Sequence, residues 1–249
     1  MRHILLGVIY MIVPGFCVSL ADSIRPVDSR PDDAVAYMRG GNVKNELGDN
    51  AGSVNDVSRS FELKTDNAEF YFNRGVTKQD LQDYPGAIAD YTKAVDLKSD
   101  YAEAYNNRGV AKESLDDHQA AIADYTKAIE LKPDYADAYI NRGKAKSGLK
   151  DYAGLIHDLS STIELKPDDA QLYYTRGVAK HSLGDDKGAI ADCTHAIEMK
   201  SDFADAYYFR GLVWMLLENT ESCCHDLKIA AALGSTQARD ASKTFSLCE

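Results

Sequence analysis

Beyond residue 67 the apolar and polar positions of this chain return on a fixed period. Ala68-Glu-Phe-Tyr-Phe-Asn-Arg-Gly recurs as Ala102-Glu-Ala-Tyr-Asn-Asn-Arg-Gly, Ala136-Asp-Ala-Tyr-Ile-Asn-Arg-Gly, Ala170-Gln-Leu-Tyr-Tyr-Thr-Arg-Gly and Ala204-Asp-Ala-Tyr-Tyr-Phe-Arg-Gly, each 34 residues after the last. Self-similarity on that scale marks a repeat architecture. With the first alanine as position 1, position 4 is Tyr71, Tyr105, Tyr139, Tyr173 and Tyr207, position 8 is Gly75, Gly109, Gly143, Gly177 and Gly211, and position 14 is Leu81, Leu115, Leu149, Leu183 and Leu217. The spacing 4, 8, 11, 14 predicts an amphipathic helix in the first half of each block. A mid-helix glycine costs about 1 kcal/mol against alanine, so its regular return predicts two helix backbones in close approach there.

The second half, as in Ala120-Ala-Ile-Ala-Asp-Tyr-Thr-Lys-Ala-Ile-Glu-Leu, predicts a second helix. Position 20 is small in Ala87, Ala121, Ala189 and Cys223, and position 27 in Ala94, Ala128, Ala196 and Ala230. Lys132-Pro133-Asp134 and Lys166-Pro167-Asp168 end one helix pair and open the next. This combination of Tyr, Gly, small residue, aromatic, small residue and Pro resembles the tetratricopeptide repeat family. The resemblance implies an all-α fold, a right-handed superhelical solenoid of antiparallel helix hairpins. Its hairpins occupy 68–101, 102–135, 136–169, 170–203 and 204–234. A degenerate copy with a one-residue slip at Arg39 fits 34–67, and a C-terminal capping helix fits 235–249, with Ala238, Ala241, Phe245 and Cys248 on its covered stripe. Three departures stand out. Position 7 is Arg where the family has Leu, and position 11 is Lys in four repeats and Trp214 in the fifth, where the family has Tyr. In repeat three, Leu155 and Thr162 replace the small residues, which predicts local repacking.

The first residues follow another pattern. Met1-Arg2-His3 is basic, Ile4 to Val13 is almost wholly apolar, and Ser19-Leu20-Ala21 supplies small residues for cleavage. Residues 1–21 therefore read as a signal peptide and 22–33 as a linker, with an uncleaved anchor as the alternative. The expected compartment is exported, periplasmic or extracellular, with no membrane association after cleavage. A net charge of −11 argues against nucleic acid, whose phosphates need surplus Lys and Arg.

Position 7 is Arg74, Arg108, Arg142, Arg176 and Arg210, and position 23 is Asp90, Asp124, Asp158, Asp192 and Asp226. Position 7 faces the second helix in this family, so the resemblance implies a ladder of structural ion pairs within or between hairpins. The alternative is that these arginines bind an anionic ligand. The resemblance also puts positions 2, 5, 6, 9, 12 and 13 on the concave face. There Asn73, Asn107 and Asn141 supply a donor and an acceptor each for the backbone of an extended peptide, and Tyr174, Tyr208, Phe209, Leu212 and Met215 make the groove more apolar toward repeat five. The bland readings are solvated asparagines, and a patch covered by the cap helix or a second copy.

Some bacterial repeat proteins of this type carry one Cys in the final repeat and another near the terminus. That likeness implies a Cys224–Cys248 disulfide, while Cys193 and Cys223 read as buried thiols with a second bridge left open. Cys193-Thr-His195 and Cys223-Cys-His225 carry zinc-type ligands. Adjacent helical residues diverge by about 100°, so no metal and no cofactor are assigned. With no GxSxG, HExxH or GxxxxGK motif, enzyme activity is not expected. The function that emerges is a protein- or peptide-binding scaffold acting through the groove. The alternatives are self-assembly as a homo-oligomer and metal binding.

Overall fold

The computed structural model describes residues 67–244 continuously and, before them, scattered positions between 36 and 59. The chain divides into two units, Met1–Thr65 and Asp66–Glu249. In the first, the described positions are largely helical and Lys44 pairs with Asp56 at 2.6 Å. The expected signal peptide and linker lie outside the described residues, as does most of the degenerate repeat.

The second unit contains five helix pairs and one further helix: α1 (Ala68–Asp80) with α2 (Tyr84–Leu97), α3 (Ala102–Glu113) with α4 (His118–Leu131), α5 (Ala136–Gly148) with α6 (Tyr152–Leu165), α7 (Ala170–Ser182) with α8 (Asp186–Met199), α9 (Ala204–Leu216) with α10 (Thr220–Ala232), then α11 (Thr236–Thr244). Among the described residues there is no strand, and no helix is long and apolar enough to cross a membrane. Each first helix packs on its own partner, α3, α5, α7 and α9 also pack on the second helix of the preceding hairpin, and α11 packs on α10. This is the all-α hairpin solenoid with a C-terminal cap that the repeat implied.

The turn inside each hairpin is the same device five times. Position 15 adopts a left-handed conformation at Gln82, Asp116, Lys150, Gly184 and Glu218, with φ of 62, 60, 61, 81 and 59°. The N–H of position 16 then reaches back to the carbonyl of position 11, as in Asp83 to Lys78 at 2.8 Å and Asp185 to Lys180 at 3.0 Å. That pattern closes a helix C-terminus in the Schellman manner. The residue at position 16, Asp83, Asp117, Asp151, Asp185 or Asn219, immediately caps the next helix with its side chain. This turn corrects one expectation. The position-14 leucines are not part of the buried stripe but stand 43 to 68% exposed, because the left-handed residue takes the chain away from the core just after them.

The core is assembled from fully buried alanines at positions 20 and 27 and a large residue at position 24, Tyr91 and Tyr125 in the first two hairpins. In hairpin three Leu155, Leu159 and Thr162 are buried at positions 20, 24 and 27. The close approach at position 8 follows from that packing. A Cβ on Gly109 would lie 2.6 Å from the Tyr125 ring, and one on Gly75 2.7 Å from Tyr91. Hairpin five has Leu227 at position 24, and a Cβ on Gly211 would meet nothing nearer than Asp226 Cβ at 3.3 Å.

Those distances predict opposite outcomes for one substitution. Gly109→Ala must displace a buried ring and should cost about 1–3 kcal/mol. Gly211→Ala needs a shift of a few tenths of an ångström and gains up to about 1 kcal/mol of helix propensity. Urea denaturation should lower the midpoint of the first variant and leave the second level or raised. Equal losses at both sites would contradict this account of the core.

Candidate functional site

The position-7 arginines point into their hairpins. Nε of Arg108, Arg142, Arg176 and Arg210 donates to Oδ2 of Asp124, Asp158, Asp192 and Asp226 at 2.8, 3.0, 2.9 and 2.8 Å. Nη2 donates to the other oxygen at 2.6, 2.7, 2.8 and 2.8 Å. Arg74 holds Asp90 in the same two-pronged way. Every pair lies within one hairpin, and all five aspartates are buried.

Three further contacts complete the arrangement. The position-11 lysines Lys78, Lys112, Lys146 and Lys180 reach the same carboxylates at 2.8, 2.7, 2.9 and 2.8 Å. The position-4 tyrosine lies beside each guanidinium, with carbon-to-centroid distances from 5.0 to 5.6 Å. Nη1 then leaves the hairpin: Arg108 donates to Thr92 at 3.1 Å, Arg142 to Thr126 at 3.1 Å, Arg176 to Ser160 at 3.2 Å and Arg210 to Thr194 at 2.8 Å. Each hydroxyl belongs to the second helix of the preceding hairpin. Burial would raise the Asp192 carboxyl, but hydrogen bonds from Arg176 and Lys180 outweigh it and hold the group below the ordinary carboxylate value. In hairpin five, Trp214 replaces the lysine and packs against the cluster of Cys223, Leu227, Ala230 and Ala238. The sequence reading missed the lysine and hydroxyl partners, although both recur on the same period as the arginine.

On the first-helix face, Asn73 is exposed. Asn107 and Asn141 are joined through Asn106, which is buried at 5% exposure. Asn106 Nδ2 donates to Asn107 Oδ1 at 3.2 Å, and Asn141 Nδ2 donates to Asn106 Oδ1 at 3.1 Å, across the boundary between hairpins two and three. The Tyr91 hydroxyl nearby donates to Gln79 Oε1 at 3.2 Å, and burial pushes its pKa well above the usual phenol value. An amide has two N–H donors and two lone pairs, so the Asn141 carbonyl oxygen keeps acceptor capacity toward the face.

The apolar residues divide into two groups. Tyr208 and Met215 pack against the cluster that α10 and α11 share, so they belong to the cap as much as to the groove. Tyr174 and Phe209 remain on the face, in contact across hairpins four and five with ring centroids 6.1 Å apart. His181 meets Phe209 edge-on at 5.6 Å, and Tyr174 also leans on Phe203 at 5.2 Å. Leu212 is half-buried.

Cys193 and Cys223 are buried free thiols, and burial pushes the Cys193 thiol up to about 12. Cys224 is not among the free thiols, and Cys248, like Phe245, falls outside the described residues. Among the described residues no three His, Cys, Asp or Glu side chains converge on one metal position. His118 pairs with Glu113 at 2.9 Å and His181 with Asp186 at 2.5 Å.

A family model described as Tetratricopeptide repeat matches residues 102–135 and another 170–203, and one described as TPR repeat matches 79–116. The chain therefore carries tetratricopeptide repeats over residues 79–135 and 170–203. No curated protein matches its sequence. Among solved structures, it is similar to MamA protein at 29% identity and a TM-score of 0.63, over 70% of this chain and 95% of that one. YrrB, described as a TPR protein with an unusual peptide-binding site, is 21% identical with a TM-score of 0.66, over 76% of this chain and 98% of that one. The C-terminal part of a TPR repeat-containing protein from Cytophaga hutchinsonii is 19% identical with a TM-score of 0.72, over 83% and 86%. The last two establish likeness of fold.

The ladder carries its own test. Arg142→Leu leaves Lys146 alone on a fully buried Asp158, and Asp158→Leu leaves a buried guanidinium without its carboxylate. Each should cost about 3–5 kcal/mol, and the double variant less than the two losses added together. Urea unfolding of the four proteins reads the coupling. Additive losses would mean that the pair acts as two separate groups.

Proposed function

We propose that this protein is a non-enzymatic scaffold that binds a protein or an extended peptide along its first-helix face, in an exported compartment. The observation that carries the reading is the polar and aromatic continuity of that face from one hairpin to the next. Asn106 joins hairpin two to Asn141 of hairpin three, and Tyr174 with His181 meets Phe209 of hairpin five. Such a surface offers amides to a peptide backbone and half-buried rings to its side chains. The export element rests on the apolar segment and small-residue site at residues 4–21.

Capture of partners from the exported fraction with the processed chain as bait, with crosslinking and mass spectrometry, tests the binding face. Asn107→Ala with Asn141→Ala, and Phe209→Ala separately, should each weaken retention of a specific partner by about tenfold, the scale of a central interface side chain. Unchanged retention in both places the interaction on another face.

The C-terminus adds a covalent element to the proposal, a Cys224–Cys248 disulfide. It would close a loop of about 24 residues and contribute roughly 3 kcal/mol on the chain-entropy model. Thiol titration of the processed chain in denaturant without reductant should count the Cys193 and Cys223 thiols alone, whereas the native protein should react slowly at both. Four reactive thiols on unfolding would remove the bridge.

A further inference from the structure

Four linkers join successive hairpins, and three of them are built alike. Tyr101, Tyr135 and Phe203 stand immediately before a first helix, and their N–H groups close onto the carbonyls of Lys98, Lys132 and Lys200 at 3.2, 3.1 and 3.1 Å. Each ring lies beneath its own lysine, with Nζ 4.5, 4.9 and 5.4 Å from the centroid. A second device closes the same region of hairpins two and three. The lysine after the second helix reaches the carboxylate at position 2 of its own hairpin, Lys132 to Glu103 at 3.4 Å and Lys166 to Asp137 at 3.1 Å.

Hairpin four lacks both. The residue before α7 is Asp169, whose carboxylate accepts from the Gln171 N–H at 2.9 Å instead of packing a ring. Position 2 is Gln171, an uncharged amide opposite Lys200. Ala170 is half-buried, as is Ala204 behind Phe203, whereas Ala102 and Ala136, each behind a tyrosine, are 5% and 7% exposed. The result is an open notch of about 410 Å³ with Asp169, Ala170 and Gln171 on one side and Met199, Lys200 and Phe203 on the other. That volume lies at the small end of ligand pockets.

We propose that this notch receives a tyrosine side chain of the bound polypeptide, adjacent to a lysine or arginine of the same polypeptide. The ring takes the place that Tyr101 and Tyr135 fill from within the chain at the preceding junctions. Phe203, Met199 and Ala170 give it apolar walls, and Gln171 and Lys200 stand where they can donate to its hydroxyl oxygen. Asp168 and Asp169, both exposed at the mouth, attract the neighbouring cation. The inference deepens the proposed function and rests on it only in taking the ligand to be a polypeptide.

The test uses isotope-labelled processed protein titrated with the peptide acetyl-Gly-Lys-Tyr-Lys-Gly-amide, and with the same peptide carrying Ala in place of Tyr, read by backbone amide shifts. The tyrosine peptide should shift Ala170, Gln171 and Phe203 saturably, and the alanine peptide should bind at least about tenfold more weakly, as loss of an aromatic anchor does. Asp169→Tyr with Gln171→Glu rebuilds the closed linker of hairpins two and three. It should keep or raise the urea midpoint while weakening the tyrosine peptide by about tenfold. Gln171→Glu alone, which offers Lys200 a carboxylate, gives a milder loss and covers the case in which the double variant does not fold. Shifts confined to Asn107 and Asn141, equal binding of the two peptides, or undiminished binding by the closed variants each overturn the notch and leave the wider face standing. Absence of any shift overturns the notch as well, and the wider face then stands or falls on its own partner capture.

Discussion

A guanidinium turned into a helix hairpin must find acceptors for its donors, because a buried charge left unpaired costs far more than any packing it makes. Here the aspartate across the hairpin takes two of them and the hydroxyl of the preceding hairpin takes a third. Both partners lie sixteen residues away, one toward the C-terminus and one toward the N-terminus, as Arg142 bonds Asp158 and Thr126. One side chain therefore ties its own two helices together and ties them to their neighbour. Buried ion pairs are weak stabilisers in themselves. What this one supplies is register, since a slip of either helix by one residue leaves Asp158, which is fully buried, with no cation.

Stability in such an array is a sum over hairpins and their nearest-neighbour contacts, and the pattern of residues respects that sum at its end. The hydroxyl position is Thr92, Thr126, Ser160 and Thr194 while another arginine follows, and becomes Lys228 in the last hairpin, where none does. Hairpin five likewise replaces the ladder lysine with Trp214, which contributes to the apolar cluster covered by α11. The last hairpin thus exchanges polar contacts that serve a following unit for apolar ones that serve a cap.

Much of this was legible in the sequence, and the part that was not has physical reasons. The period, the two helices and the close approach at Gly109 depend on residue size at fixed intervals, and size is written in the sequence. The Arg–Asp positions were legible because two buried charges of opposite sign recur together. Lys112 and Thr126 recur just as regularly, but a lysine or threonine on a helix has an adequate solvated reading, and only coordinates decide the face. Leu115 continued the helical spacing, yet Asp116 adopts φ 60° and carries the chain off the core. Tyr208 and Met215 were placed on the groove by the family resemblance. A helix has more than one neighbour, and the cap shares the side that the resemblance had given to a ligand.

The linker before α7 shows why a departure from the repeat is informative. Tyr101, Tyr135 and Phe203 make no side-chain cap for the helices they precede, and Asp169 does. A cap contributes about 0.5–2 kcal/mol, and a half-buried ring such as Tyr101 or Tyr135 contributes a comparable amount, a part of the roughly 1.5–3 kcal/mol of full burial. Exchanging the ring for the cap is therefore about neutral for the free protein, and the loss of the charge partner opposite Lys200 does not improve it. Two changes on one wall of the gap, Asp169 and Gln171, neither favoured by stability, are what an opening kept for a ligand requires. A random weakening of the junction would have no reason to leave Phe203 packed on Tyr174 and lysine-covered as its counterparts are.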